Sequence, residues 1–276
     1  MASIRTHTVA GGGGLELHVQ ETGNPHGKPV LFIHGFSQCR LAWNKQLHSD
    51  LAQDLRLVAM DLRGHGRSQK PRDAYGDSRL WADDVHAVIE TLGLDRPVLC
   101  GWSYGGVVMS DYVAQYSEEG IAGTHWVGAI SRLGDPILQS GFIGPDFLAL
   151  APGLFTENAD ESVAALERFI RLCVHAEPSP EDLYFFLGYN AIVPPHVRLG
   201  LFSRTLDNDE VIRAMRKPML LTYGERDAIV LPAMGEHLAA LAPHARLSRY
   251  PDSGHAPFWE DAQRFNRELR QLCESA

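Results

Sequence analysis

The sequence has no Cys-x-x-Cys pair. Its four cysteines, Cys39, Cys100, Cys173 and Cys273, lie far apart in a chain of 276 residues. That excludes a zinc ribbon and a thioredoxin motif. It also makes no disulfide scaffold, so a reducing compartment fits best. A basic excess is lacking too. Lys and Arg number 25 against 34 Asp and Glu, a formal charge of −9. This argues against an electrostatic nucleic-acid surface, which needs a basic face, and a soluble, acidic cytoplasmic protein is expected. Long apolar runs are missing as well. The longest uncharged stretches, such as residues 97–110, are broken by Gly and Ser. None reaches the ~18 apolar residues that span a bilayer, so no membrane partner is expected. Residues 1–14 hold no apolar segment of the kind a secretory signal needs, and no signal is expected. Internal repeats are absent, and the one low-complexity tract is Gly11–Gly14.

What is there is an ordinary globular composition, 45% hydrophobic and 21% charged, at a length that suits one to two domains. Leu15, Leu17 and Val19 alternate with Glu16, His18 and Gln20, which predicts a half-buried strand entered from a glycine hairpin turn. No strand-to-helix step follows those glycines, so they are not a dinucleotide loop. Short unbroken apolar runs come next, at residues 30–33, 55–60, 97–102, 124–130 and 219–223. Such runs belong to strands covered on both faces of a parallel sheet. Between them lie helical stripes. Trp43, Leu47 and Leu51 form one, and Trp81, Val85, Val88, Ile89 and Leu92 a second. Met234, Leu238 and Leu241 form a third behind Pro232, and Phe258, Phe265, Leu269 and Leu272 a fourth. This alternation predicts an α/β fold with a mostly parallel central sheet flanked by helices. It breaks between about Gly134 and Ala214. Prolines, helical pieces and six phenylalanines (142, 147, 155, 169, 185 and 186) occur there without a convincing strand. The expected organisation is a core of residues 1–133 and 215–276, with residues 134–214 inserted as a helical cap at the sheet's C-terminal edge.

The sharpest motif is Gly101-Trp102-Ser103-Tyr104-Gly105-Gly106, set between an apolar strand and a helical stretch at 107–116. This is the strand–turn–helix context of a G-x-S-x-G nucleophile elbow. The turn is so tight that the nucleophile is strained and its neighbours must lack a Cβ. Serine is a poor nucleophile and needs a base, most often a His held by an acid. His255 lies in Ser253-Gly254-His255-Ala256 after a strand-like 247–250, and Asp227 in Gly224-Glu225-Arg226-Asp227 just past the run at 219–223. Both loops fall at C-terminal strand ends, where open parallel sheets carry their active sites. Rivals for the acid are Glu225 and Asp135. Ser103, Asp227 and His255 are the expected catalytic residues. The oxyanion hole is expected from the backbone N–H groups of Tyr104 and of Phe36, in the loop His34-Gly35-Phe36-Ser37. His34 is read as a structural histidine holding that loop.

These segments, together with Asp61-Leu62-Arg63-Gly64-His65-Gly66-Arg67-Ser68, resemble the α/β-hydrolase superfamily over nearly the whole chain. The resemblance implies the α/β-hydrolase fold. It also implies a serine mechanism: attack by Ser103, proton transfer to His255, orientation of His255 by Asp227, and hydrolysis of an acyl-enzyme. The Asp61–Ser68 segment is read as structural, with no metal site at His65 and no cofactor. Serine at the elbow argues against the haloalkane dehalogenases and epoxide hydrolases of this fold, which use Asp. A small-molecule carboxylic ester or lactone is the expected substrate. Carbon–carbon hydrolysis, perhydrolysis with the same triad, and a non-catalytic ligand receptor are the alternatives. Gly-Trp-Ser-x-Gly-Gly with Gly254-His255-Ala256-Pro257-Phe258 is also similar to serine-type N-acyl-homoserine lactonases. Trp102, Phe142, Phe147, Tyr184 and Tyr189 are the expected pocket residues. Trp259 discriminates little, His175 and His196 are read as surface or core residues, and the sequence does not fix the oligomeric state.

Overall fold

The computed structural model describes residues 4–276. The chain begins with β1 (Arg5–Ala10), β2 (Glu16–Gly23), β3 (Lys28–Ile33), β4 (Leu55–Met60), β5 (Val98–Trp102) and β6 (Gly123–Val127). Two short strands, β7 (Arg132–Leu133) and β8 (Leu206–Asp207), precede β9 (Met219–Gly224) and β10 (Arg246–Tyr250). Eight strands make the central sheet in the order β1-β2-β4-β3-β5-β6-β9-β10. From β4 to β10 all neighbours are parallel, and β2 is antiparallel to both β1 and β4. This is the α/β-hydrolase arrangement that the motifs imply. The parallel strands read as apolar runs because both faces are covered: every residue of β5, β6 and β9 is buried.

The helices follow from their caps and stripes. Helix Ser78–Leu92 starts where the Asp77 side chain accepts from Arg79 N–H, and stops at Gly93, whose φ is +56°. Trp81, Val85, Val88 and Ile89 form its buried side. Helices Gly105–Tyr116, Ala233–Leu241 and Ala262–Ser275 follow β5, β9 and β10. Between β7 and β8 lie six helices, of which Ala159–Cys173 and Pro180–Ala191 are the longest. The shortest, Asp135–Leu138 and Pro145–Leu148, are four residues each.

Three details differ from the pattern-based expectation. The stripe Trp43, Leu47, Leu51 is not one helix. It is divided among a 3-10 turn Arg40–Trp43 and two short helices, Asn44–Leu47 and Leu51–Asp54, although all three side chains are buried. The run 124–130 ends as a strand at Val127, because Gly128 turns the chain at φ +48°. The stretch 134–214 does hold a strand residue pair, Leu206–Asp207, which pairs antiparallel with Arg132–Leu133 and closes the segment at its base. Two-residue strands carry no detectable period, so sequence patterning cannot find them.

Candidate active site

The sheet order brings four loops to one edge. β3 and β5 are neighbours, so the loop His34–Ser37 lies beside the turn after β5. β9 and β10 are neighbours, so the loops carrying Asp227 and His255 meet. β6 lies between the two pairs.

Ser103 sits on the turn with φ +55°, a left-handed conformation rare for a residue with a side chain. Surrounding atoms over-determine it. Its N–H donates to Val127 O at 2.9 Å, and its carbonyl accepts from Gly106 N at 3.0 Å and Ile130 N at 3.2 Å. A Cβ at Gly105 would lie 2.5 Å from Ile33 O, and one at Gly101 2.8 Å from Gly105 O. The turn therefore admits only glycine on both sides of the serine. A Cβ at Gly35 would fall 2.9 Å from the Ser103 Cβ, which shows how closely the β3 loop approaches.

Asp227 and His255 are brought together. His255 Nδ1 donates to Asp227 Oδ2 at 2.7 Å, with both side chains buried. The other Asp227 oxygen accepts from Ile229 N at 2.8 Å and Val230 N at 2.9 Å, so the carboxylate is fixed by its own loop. Trp102 Nε1 donates to His255 O at 2.8 Å, holding the histidine loop against the strand before Ser103. The imidazole's one hydrogen bond among the described residues is to Asp227, and none joins it to Ser103 Oγ. Such contacts commonly tighten only when substrate is bound. Glu225 and Asp135, the rival acids, are exposed.

The N–H groups of Phe36 and Tyr104 find no protein acceptor among the hydrogen bonds of the described residues, although both residues are buried. Buried backbone donors are nearly always satisfied, so open N–H groups on two buried residues that line a cavity with the strained serine are candidates to receive an acceptor. Ser37, at φ +59°, turns the chain immediately after Phe36.

His34 Nδ1 donates to Gly35 O at 2.8 Å and Nε2 accepts from Leu62 N at 3.0 Å. Burial pushes its pKa down to about 3, so it is a neutral brace for the loop. The segment Asp61–Ser68 is held in the same way. The Asp61 carboxylate accepts from Arg40 N, Arg40 Nη1 and Arg67 N at 2.8–2.9 Å, and Arg63 forks onto Asp84 at 2.7 Å.

A cavity of about 90 Å³ opens at Ser103. Phe36, Ser103, Tyr104, Ile229 and Val230 form its core wall. Ile137, Phe147, Phe169, Leu201 and Phe202 form the opposite wall, with Leu138 and Leu148 at the exposed rim. None of the lining side chains is charged, and the only polar ones are the Ser103 and Tyr104 hydroxyls.

The expected pocket residues do not share this cavity. Phe147 lines it. Trp102 and Tyr189 line a separate void of about 10 Å³ with Cys173, Phe186, Phe258 and Trp259, room for about one water. Trp102 is turned that way by its bond to the His255 carbonyl. Phe142 packs against His237 with ring centroids 5.1 Å apart. Tyr184 points to solvent at 67% exposure, because helix Pro180–Ala191 buries Leu183, Phe186 and Tyr189 instead. His175 is exposed and His196 half-buried.

Three residues at the site escaped sequence reasoning. A Cβ at Gly128 would lie 3.0 Å from His255 Nδ1 and 3.3 Å from Asp227 Oδ2, so this glycine makes room for the pair. Glu260 accepts from Gly254 N at 2.7 Å and His175 N at 2.6 Å, tying the histidine loop to the segment after helix Ala159–Cys173. Arg204 reaches Tyr104 Oη at 3.0 Å. A glycine in a run of apolar residues and charged residues in unpatterned loops give no sequence signal.

Comparison with known proteins bears on this geometry. Residues 28–262 match the family model described as the alpha/beta hydrolase fold. The structure of the esterase RhEst1 from Rhodococcus sp. ECU1013 is 35% identical and superposes with a TM-score of 0.91, covering 98% of each chain. That of a putative aryl esterase from Burkholderia cenocepacia is also 35% identical, with a TM-score of 0.89 over 99% of this chain and all of the other. A bifunctional esterase/perhydrolase from Acinetobacter calcoaceticus is 29% identical over 95% of this chain and 97% of its own.

Proposed function

The chain belongs to the α/β-hydrolase family, and from that premise we propose that it hydrolyses small, uncharged carboxylic esters through an acyl-enzyme on Ser103. The observation that carries this reading is an apolar cavity lined by a strained serine and by two buried residues, Phe36 and Tyr104, whose N–H groups have no partner among the described residues, with His255, held by a buried carboxylate, in a loop bonded to Trp102 beside that serine. Ser103 Oγ attacks the ester carbonyl and passes its proton to His255 Nε2. Asp227, bonded to Nδ1, fixes the tautomer and stabilises the imidazolium. The Phe36 and Tyr104 N–H groups receive the oxyanion. His255 then protonates the leaving alkoxide, and in the second half it draws a proton from water, which attacks the acyl-enzyme and frees Ser103.

The lining favours simple esters over N-acyl homoserine lactones. Such a lactone carries an amide beside its scissile carbonyl. The walls offer that amide no polar side chain beyond two hydroxyls, and the Tyr104 oxygen already accepts from Arg204, leaving only its O–H to donate. Each unsatisfied buried polar group costs about 1–3 kcal/mol. The cavity is also smaller than the ~150 Å³ void that accepts benzene, which suits a short acyl group.

A pH-stat comparison of p-nitrophenyl butyrate with N-butanoyl homoserine lactone tests this, with Ser103→Ala as control. Ester turnover is expected to dominate, and Ser103→Ala to lower kcat by at least ~10⁴-fold. A Ser103→Ala protein that keeps its activity overturns the mechanism. Dominant lactone turnover overturns the substrate class alone.

A further inference from the structure

Arg204 lies between helix Pro195–Phe202 and β8, where the segment opposite the sheet returns to the core. Its side chain is only 1% exposed. The guanidinium donates from Nη1 to the Tyr104 hydroxyl at 3.0 Å. From Nη2 it donates to both Asp111 oxygens, at 2.7 and 2.9 Å, and to Ser78 Oγ at 2.8 Å. It also lies 5.5 Å from the Trp81 ring centroid and 5.9 Å from that of Tyr104. One side chain thus joins the residue after the elbow serine, the helix that follows the elbow, and helix Ser78–Leu92.

Stability does not account for such a group. Taking two charges out of water costs several kcal/mol per ion, and a well-packed apolar replacement is often as stable. Burial pushes the Asp111 carboxyl up to about 6 even with Arg204 beside it, so the cost of ionising this site is evident. Geometry does account for it. Tyr104 follows Ser103 directly, so a bond that anchors its side chain also restrains the backbone that carries the Tyr104 N–H. Leu201 and Phe202, three and two residues before Arg204, line the cavity that Ser103 faces.

We propose that Arg204 is a positioning residue for ester hydrolysis: it holds Tyr104 so that its backbone N–H faces the developing oxyanion, and it links that donor to the far wall of the substrate cavity. The inference rests on Ser103 as nucleophile and on the Tyr104 N–H as oxyanion donor. Oxyanion donors act through placement, and removing one costs ~10²–10³ in rate, so a displaced donor retains part of that loss.

The test is steady-state hydrolysis of p-nitrophenyl butyrate by Arg204→Lys, Tyr104→Phe and the double variant. Ser103→Ala and thermal unfolding curves run alongside. Tyr104→Phe keeps the backbone N–H and touches no charge, yet it is expected to lower kcat about tenfold with KM within about twofold. Arg204→Lys is expected to lose a similar factor, and the double variant no more than the worse single one, because both changes break one contact. Affinity for butylboronic acid, which forms a tetrahedral adduct on serine, is expected to fall in parallel with kcat/KM. A merely structural Arg204 predicts a lower melting temperature with unchanged kcat, or additive effects, and either result overturns the proposal. If Arg204→Lys does not fold, Tyr104→Phe decides alone. Should Ser103→Ala stay active, the underlying mechanism fails. Should it be inactive while Tyr104→Phe has wild-type kcat, only the positioning role fails.

Discussion

On the core side of the Ser103 cavity, Ser103, Asp227 and His255 are fixed by backbone. Glycines that admit no Cβ frame the serine, Gly128 leaves space for His255 and Asp227, and two loop amides hold the Asp227 carboxylate. On the opposite side the lining comes from the ends and faces of separate helices, two of them only four residues long. Helices that short have no stability of their own and owe their place to side-chain packing. The surfaces differ in the same sense. Apart from Ile4, every exposed large hydrophobic side chain among the described residues lies between Leu138 and Phe202. The difference teaches where change is tolerated. A wall set by backbone sterics holds reacting atoms within fractions of an ångström, whereas a wall of packed side chains can be reshaped to take another acyl group.

The sharpest way to break that comparison is to alter one carboxylate on each side. Asp227→Asn preserves shape but lets His255 take the wrong tautomer, so kcat is expected to fall by ~10⁴-fold. Asp135→Asn, on an exposed residue opening a short helix, is expected to leave kcat within about twofold. Equal losses at both positions would mean that the acid is shared or misassigned.

A second test concerns stability. His34, His65 and His125 are buried in the core, where desolvation holds each pKa down at about 3. They are neutral when folded but protonate near pH 6.5 when unfolded. Stability is therefore full above pH 6.5 and is lost as pH falls, by ~1.4 kcal/mol per unit and group, about 4 in all. Asp111 acts the other way. Its raised pKa, about 6, returns ~1.4 kcal/mol per unit as pH falls from about 6 to about 4. Burial raises the pKa of Asp84 and of Glu260 in the same direction, so the net expectation is a loss of stability as pH falls below 6.5 that is smaller than the histidines alone would give. Urea unfolding at pH 7.5, 6 and 5 measures it. A flat profile would mean that these histidines are hydrated or protonated in the folded chain.

The division between the walls also explains what patterning could read. The strands were legible because burial on both faces leaves β5, β6 and β9 largely apolar, with the few polar side chains in them, Thr124, His125 and Thr222, buried as well. The elbow and Asp227 were legible as positions because each sits just past an apolar run, and His255 because its loop follows a strand-like segment; a parallel sheet sends those ends to one edge. What failed was orientation. Trp102 reads as a pocket residue from its place beside Ser103, but a hydrogen bond to the His255 carbonyl turns it toward a different void. The aromatic residues of 134–214 read alike because each helix there is amphipathic in its own frame. Which face looks at Ser103 depends on how the helices dock. Arg204 carried no pattern, since a single charged residue in a loop is ordinarily solvated.

The smallest expected effect separates two aromatic residues that the sequence treats as equals. Phe147 is buried in the cavity wall, with ring centroids 6.3 Å from Phe36 and 5.6 Å from Phe169. Tyr184 projects into solvent from helix Pro180–Ala191. Phe147→Leu removes ring volume facing the acyl group while keeping an apolar wall. It is expected to raise the octanoate-to-butyrate ratio of kcat/KM for p-nitrophenyl esters about tenfold, the scale of one or two methylenes in an apolar pocket. Tyr184→Leu is expected to leave that ratio unchanged and stability within about 0.5 kcal/mol. If Tyr184→Leu moved the ratio as far as Phe147→Leu, the acyl chain would have to run along the outer face of helix Pro180–Ala191. The wall opposite Ser103 would then be a surface that substrate covers, not a cavity that it fills.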